Sequence, residues 1–216
     1  QGLTPDRGLS PADGPAVIAL VAPQPTGVFA VAALFVSLAV WAAALLIARS
    51  RRGGSSEVTQ RRDMGSMLGV WIQGLAFLAV GFGPLKLVLG SPERAEMAQL
   101  ALVLALIVST IALFSASSRA MGSNWAIVAR TRDDHQLVTW GPFAWVRNPI
   151  YSALFIWILT MALALGHYRG LIVAVPLYWI GTWIRVAREE RLLRAQFGEA
   201  YDAYAARVKR FVPGIV

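Results

Sequence analysis

The sequence predicts an all-α fold, an integral membrane bundle of about five transmembrane helices followed by a C-terminal amphipathic helix. Of the 216 residues, 56% are hydrophobic and only 15% are charged, and the mean hydropathy is +0.56. A soluble domain of this length carries more charge and interrupts its apolar runs more often. Residues 26–48 contain no ionisable side chain and are long enough to cross a bilayer as a helix.

The apolar segments are expected to be helical, because a chain that crosses a bilayer has to satisfy its backbone hydrogen bonds internally. They cover residues 26–48, 64–89, 97–118, 150–166 and 171–186. The fourth segment is short, and residues 167–170 are expected to join it to the fifth in a tight hairpin. Residues 1–25 are expected to form an N-terminal segment on the extracytosolic side.

Glycine spacing in the second segment predicts close helix packing. Gly65 and Gly69 form a small-xxx-small pattern, which lets two helix backbones approach each other. Gly81, Gly83 and Pro84 interrupt the same segment further on. A kink that lines a cavity is the alternative interpretation of these residues.

The basic residues predict the orientation. The net charge is +8, and most of the arginines lie in residues 49–62, 119–147 and 185–210, which follow the first, third and fifth segments. Alternate loops are therefore basic, which places these loops and the C-terminus on the cytosolic side. Because the arginines do not form one stripe, we expect no nucleic-acid partner. Anionic lipid head groups or an acidic ligand are the expected partners of this charge.

Cysteine and histidine usage limits the chemistry. The 216 residues contain no cysteine, which excludes disulfides, thiolate catalysis and cysteine-bound metals within them. The two histidines, His135 and His167, are too few for a histidine-rich metal centre. We therefore expect no metal site.

Two polar clusters stand out against the apolar segments. One is HQLVTWGPFAWVRNPIY, residues 135–151, and the other is Arg185 with Glu189 and Glu190 at the end of the fifth segment. Charged and hydrogen-bonding groups beside a bilayer are costly, so their concentration predicts a functional site. The predicted orientation puts both clusters on the cytosolic side, where they can meet.

Each cluster also has a purely structural interpretation. Arg185 and Glu189 are four residues apart, so they can form an ordinary ion pair at a helix end, and Glu190 is expected to pair with Arg194 or solvent. His135 can order its loop, and Asn148 before a proline is typical of a turn. Tyr151 and Trp145 also suit the membrane interface of any membrane protein.

The C-terminal residues 191–216 carry an amphipathic pattern that is broken near Gly198 and ends at Pro213. Its apolar and aromatic members recur every three or four residues, at Leu193, Phe197, Tyr201, Tyr204 and Val208. Two interpretations remain open. The segment is either a peripheral helix packed on the bundle or a wall over the polar site.

These motifs resemble the signatures of the isoprenylcysteine carboxyl methyltransferase and phospholipid methyltransferase superfamily. The first signature appears as HQLV, GPF and RNPIY, and the second as EE, FGEAYDAY and KRFVP. The resemblance covers about the last hundred residues, with both motifs in order and at similar spacing. It implies a small helical membrane enzyme that binds S-adenosylmethionine without a Rossmann domain. Residues 26–118 then form three transmembrane helices, and residues 119–216 form the catalytic half.

The resemblance also implies roles for individual residues. Arg185 would bind the substrate, and the catalytic residues would be Arg185, Tyr151 and Asn148. Two positions depart from the family pattern, since Asn148 stands in place of His and Phe143 in place of Tyr. Asparagine keeps a hydrogen-bond donor and acceptor but does not titrate. The implied cofactor contacts are His135, Gln136, Leu137, Val138, Phe143, Asn148, Pro149, Ile150, Tyr151 and Glu189.

The expected function is methyl transfer from S-adenosylmethionine to a lipophilic or prenylated acceptor, an isoprenylcysteine-like carboxylate. Aromatic rings can stabilise the sulfonium, Glu189 can pair with the cofactor ammonium, and Arg185 with an acidic acceptor group.

The alternatives are a phospholipid or small-thiol methyltransferase, a sterol-reductase-like enzyme that binds NADPH through Arg130, Arg132 and Arg147, and a non-catalytic membrane scaffold or small transporter. We expect a multi-pass protein of the bacterial inner membrane, in contact with membrane lipid, with its site facing the cytosol.

Overall fold

The computed structural model describes residues 23–50, 64–91, 93–122 and 137–211. Within these ranges the chain forms six α-helices and a small sheet of two strands. The strands are β1 (Pro25–Gly27) and β2 (Lys86–Val88). The helices are α1 (Val28–Ser50), α2 (Met64–Gly81), α3 (Arg94–Met121), α4 (Pro149–Ala164), α5 (Leu171–Phe197) and α6 (Glu199–Arg207).

The predicted helical class is confirmed, and the helices have membrane character. Two helical stretches, Arg94–Met121 and Tyr168–Phe197, are long and apolar enough to cross a membrane. Shorter apolar helices cover Val28–Ala43, Met67–Gly81 and Pro149–Ala164. Length and composition therefore support a membrane protein, while the predicted number of five spanning helices remains a prediction.

The second predicted segment is shorter than expected. Helix α2 ends at Gly81 rather than at residue 89, because Gly83 has a φ of +153° and Pro84 follows it. Residues 86–88 then pair in parallel with residues 25–27, with Thr26 opposite Leu87. This pairing also explains why α1 begins at Val28, two residues after the predicted start.

The fifth predicted segment is longer than expected. Helix α5 continues beyond residue 186 to Phe197 and ends where Gly198 adopts a φ of +52°. Helix α6 begins directly after this glycine, so the predicted break near Gly198 is confirmed. Glu189 and Glu190 therefore lie within a regular helix, where two adjacent side chains face different neighbours.

Helix α4 lies between two groups of buried side chains. On one side Trp157 packs with residues of α1 and α3, including Leu34 and Val103. On the other side Ile158 packs with residues of α2 and α5, including Val80 and Tyr178. The first residues of α4 are consequently held in place relative to the other helices.

The connection between α4 and α5 is the short turn that was predicted for residues 167–170. Residues Tyr168–Gly170 form a 3-10 turn, and His167 before it is buried. The ring nitrogens of His167 lie 2.9 Å from the carbonyl oxygen of Val80 and 3.1 Å from that of Pro84. This histidine therefore ties the turn to the end of α2.

Two glycines bring α2 and α5 into close contact. A Cβ atom at Gly181 would lie 2.7 Å from the carbonyl oxygen of Gly69, and one at Gly69 would lie 2.5 Å from Cγ of Arg185. No other side chain fits these positions without displacing backbone. The predicted packing role is thus confirmed for Gly69. The packing around Gly65 lies outside what the structure describes.

We expect Gly181→Ala to lower the midpoint of thermal unfolding in detergent. Overpacking costs about 1–3 kcal/mol, which exceeds the gain of about 1 kcal/mol in helix propensity. Gly74→Ala in α2 is the matched control, because nothing lies within 4 Å of the added Cβ. Equal midpoints for Gly181→Ala and Gly74→Ala would contradict this packing.

Candidate functional site

The two predicted polar clusters meet through one short hydrogen bond. The hydroxyl of Tyr151, in the first turn of α4, donates to Oε1 of Glu189 in α5 at 2.5 Å. The Tyr151 side chain is buried. Pro149 occupies the first helical position, where its missing N–H is not needed, so α4 begins immediately after the motif loop, which comprises the described residues 137–148. The hydrogen bond therefore joins the motif directly to α5.

Arg185 completes this contact. Its NH2 lies 3.6 Å from Oε1 of Glu189, and its Cζ lies 5.1 Å from the centre of the Tyr151 ring. The predicted i,i+4 ion pair is present, but the guanidinium also stacks on an aromatic face, which stabilises it by a cation–π interaction. The site thus contains a carboxylate, a phenol and a guanidinium, each of which contacts the other two.

Two buried residues that the sequence does not reveal as site residues hold this arrangement in place through hydrogen bonds. The hydroxyl of Tyr178 donates to the backbone oxygen of Tyr151 at 2.6 Å. Gln73 of α2 accepts a hydrogen bond of 3.1 Å from NH1 of Arg185. The available signal for Gln73 was its polarity within an apolar helix, where polar side chains are costly unless they are paired. Nothing in the sequence near Tyr178 indicates its partner.

The C-terminal residues bind along the motif loop. The N–H of Arg147 donates to the carbonyl oxygen of Lys209 at 2.7 Å, and that of Asn148 donates to Arg210 at 3.0 Å. Ser152 adds a side-chain bond of 3.1 Å to the carbonyl oxygen of Phe211. Residues 208–211, which include the first three residues of the KRFVP signature, therefore form a strap that orders the backbone of the RNPIY signature.

Glu190 secures this strap, and its expected pairing with Arg194 is wrong. Its carboxylate accepts two hydrogen bonds from Arg210, at 3.0 and 2.8 Å, and lies 3.0 Å from NH2 of Arg147. Arg194 pairs with Asp202 of α6 instead, at 2.7 Å. Glu190 is buried, and a buried carboxylate is tolerated when close cations and hydrogen bonds compensate for its lost hydration.

Helix α6 lies against the motif loop. The hydroxyl of Tyr204 donates to the carbonyl oxygen of Phe143 at 2.7 Å, in the 3-10 turn Gly141–Ala144. Burial raises the pKa of the Tyr201 phenol to about 12, so this side chain stays neutral and suits the interior. These contacts favour a wall beside the site over a helix that only covers the apolar bundle.

The implied cofactor residues fall into four groups. Tyr151 and Glu189 lie at the site, and Asn148 is the residue that directly precedes α4. Leu137 and Val138 are half-buried before the 3-10 turn, and Ile150 is half-buried on α4. Phe143 and Pro149 are buried as parts of the scaffold. His135 and Gln136 lie outside the described residues.

The residues present suit the polar part of an S-adenosylmethionine molecule. Within the part of the chain that the structure describes, the buried Nδ2 of Asn148 meets no hydrogen-bond acceptor. An unsatisfied buried donor is costly, and an acceptor atom of a bound ligand would satisfy it. The side chain of Glu189 is 26% exposed, so its carboxylate can accept a cationic group. Glu189 could therefore bind a ligand ammonium, and Asn148 could donate a hydrogen bond to a ligand acceptor atom.

Comparison with known proteins identifies the region that carries the site. Residues 98–200 match the sequence model of the phospholipid methyltransferase family. The chain is 36% identical over 88 residues to a protein-S-isoprenylcysteine O-methyltransferase of Schizosaccharomyces pombe, an alignment that covers 40% of this chain and 37% of that protein.

Two further relatives carry the same name. The Tribolium castaneum protein is 31% identical over 100 residues, covering 44% of this chain and 34% of its own. The Rattus norvegicus protein is 33% identical over 106 residues, covering 49% of this chain and 36% of its own. The chain therefore matches about a third of the length of these relatives. The predicted resemblance is confirmed, because residues 98–200 carry the sequence pattern of the phospholipid methyltransferase family and the chain is similar to protein-S-isoprenylcysteine O-methyltransferases.

Proposed function

We propose that this chain is an integral membrane methyltransferase that uses S-adenosylmethionine to methylate an isoprenylcysteine-like carboxylate on a lipophilic acceptor. The observation that carries the proposal is the contact of Tyr151, Glu189 and Arg185. All three residues lie within the part of the chain that matches the family. The related proteins named for isoprenylcysteine O-methylation support the choice of acceptor.

Glu189 is the proposed binding group for the ammonium of the methyl donor. S-adenosylmethionine supplies an electrophilic methyl group on a sulfonium, which an acceptor oxygen attacks in line. The Tyr151 hydroxyl donates to Glu189, which holds the carboxylate in one orientation before the donor binds. Asn148, with its buried amide donor, is the second proposed contact. Pre-ordered groups of this kind reduce the entropy lost on binding.

Arg185 is the proposed binding group for the acceptor carboxylate. A guanidinium carries five N–H donors in a planar fork that matches a carboxylate in both geometry and charge. Its side chain is 11% exposed, which strengthens a charge-assisted hydrogen bond relative to one in water. Holding both reactants in the reactive geometry supplies a large part of the acceleration, without a strong base.

The NADPH-binding alternative loses support from the position of Arg147. Its guanidinium contacts Glu190 and donates from NH1 to the carbonyl oxygen of Ala205 at 2.6 Å. These contacts give Arg147 a structural role in holding the motif loop in place. Arg130 and Arg132, the other two arginines of that hypothesis, lie outside the described residues. No contact at the site favours a reductase or a transporter as a second function.

The proposed orientation keeps the site and α6 on the cytosolic side of a bacterial inner membrane, as the arginine distribution indicates. The chain contains no cysteine, so Glu199→Cys at the exposed start of α6 introduces a single thiol. An impermeant thiol reagent should label it in opened membranes but not in intact cells. Labelling in intact cells would place the site on the wrong side.

We expect Glu189→Gln to raise the dissociation constant of S-adenosylmethionine about tenfold to a hundredfold, since a charge-assisted hydrogen bond contributes about 1.5–3 kcal/mol. Because glutamine can still accept the hydrogen bond from Tyr151, the loss of donor affinity measures the contribution of the Glu189 charge. Calorimetric titration of the detergent-solubilised protein with S-adenosylmethionine and with NADPH measures this directly.

Glu199→Gln is the matched control, because it removes the same charge from an exposed position, and it should bind the donor like the parent. Tight NADPH binding by the parent would reject the methyltransferase proposal. Unchanged donor affinity in Glu189→Gln would remove this residue from the donor site.

A further inference from the structure

A buried glutamine from outside the family region lies against the guanidinium of Arg185. Gln73 of α2 is 5% exposed and precedes the matched residues 98–200. Its Oε1 accepts from NH1 of Arg185 at 3.1 Å, and its Nε2 donates to Oγ1 of Thr182 at 2.7 Å. The amide group is therefore fixed at both ends, with its oxygen directed at Arg185.

The position of Arg185 depends on α2 along most of its side chain. A Cβ atom at Gly69 would lie 2.5 Å from Cγ and 3.3 Å from Cδ of Arg185, so the absence of a side chain at Gly69 makes room for the stem. Gln73, one turn further along α2, then holds the guanidinium. The stem and the head group of Arg185 are thus both set by the same helix.

The neutrality of Gln73 has an electrostatic consequence. An amide oxygen orients a guanidinium but does not cancel its charge, whereas a carboxylate in the same place would form a second ion pair. Glu189, the nearby anion, is the proposed partner of the donor ammonium. Gln73 therefore adds no second anion beside Arg185, which already pairs with Glu189, and so favours the binding of an incoming carboxylate.

We propose that Gln73 is a positioning residue that aims Arg185 at the acceptor carboxylate, so that the charged end of the acceptor binds beside the contact of α2 and α5. This inference rests on the proposed methyltransferase function and deepens it. It assigns part of the acceptor selectivity to α2, which lies outside the family's matched region. The ligand class is a lipophilic molecule that ends in a carboxylate.

Two substitutions at one position separate orientation from charge. Gln73→Leu removes the hydrogen bond to Arg185, and we expect kcat/KM for a prenylated cysteine acceptor to fall about tenfold. Gln73→Glu keeps an acceptor oxygen beside Arg185 and can accept a hydrogen bond from Thr182, but it adds a second carboxylate next to the guanidinium. It should raise the KM for the acceptor about tenfold or more, while the dissociation constant of S-adenosylmethionine stays within about twofold of the parent.

Equilibrium binding supplies a readout that a structural role alone would not change. The parent should bind the prenylated cysteine acid about tenfold more tightly than its carboxamide, because only the acid has a charge for Arg185. Gln73→Glu should bring this ratio close to one.

Gln99→Leu is the matched control. Gln99 also bonds between elements, to Thr26 and to the carbonyl oxygen of Leu163, and it has no contact with Arg185 among the described residues. It should lower thermal stability without changing the acid-to-carboxamide ratio.

Arg185→Ala serves as the reference for complete loss of the acceptor contact, with kcat/KM expected to fall about a hundredfold. If Arg185→Ala is impaired and both Gln73 variants retain the parent's kinetics and binding ratio, the inference is wrong and the proposed function stands. If Arg185→Ala itself behaves like the parent, the proposed acceptor role of Arg185 fails first. A change in the ratio in Gln99→Leu equal to that in Gln73→Glu would also overturn the inference.

Discussion

The hydrogen bond between Tyr151 and Glu189 is the constraint on which the rest of the site depends. It joins the first turn of α4 to α5 across 38 positions of the chain, and it gives a partly buried carboxyl group a hydrogen-bond donor. Arg185 lies against both partners, at 3.6 Å from the carboxylate and 5.1 Å from the ring centre. Three side chains of different chemistry thereby hold one another in a fixed relation, which is what methyl transfer by positioning requires.

Two adjacent carboxylates perform different tasks because they lie on a helix. Successive helical residues are about 100° apart around the axis, so Glu189 faces Tyr151 and Arg185 while Glu190 faces Arg147 and Arg210. Glu190 is the more buried and is bound by two guanidinium groups, which suits a structural anchor. Glu189 is more accessible and has fewer cationic partners, which suits a ligand-binding group. The acidic pair of the sequence motif thus combines an anchor for the strap with a group for the proposed donor.

Much of the site could be predicted from the sequence, because the arginine distribution places both polar clusters on one side of the membrane and helical spacing places Arg185 beside Glu189. The meeting of Tyr151 with Glu189, the Arg185–Glu189 pair and the break at Gly198 are all confirmed. The roles of Gln73 and Tyr178 could not be predicted, because their partners are 112 and 27 positions away and no local pattern marks such pairs. The same limit explains the wrong partner for Glu190, since the packing of the strap alone brings Arg210 beside it. The strand pairing of residues 25–27 with 86–88 likewise depends on how α2 ends at Gly81.

The chemical stability of the transferred methyl group is the most direct test of whether this protein methylates a carboxylate. Membranes that contain the protein are incubated with S-adenosylmethionine labelled in its methyl group and with a prenylated cysteine that has a free carboxylate. The extracted lipid is then treated with mild alkali, which hydrolyses methyl esters but leaves N-methyl and thioether groups intact. We expect the label to be released as methanol, and the carboxamide form of the acceptor to remain unlabelled. Label that survives alkali, or equal labelling of the acid and the carboxamide, would contradict methylation of a carboxylate at this site.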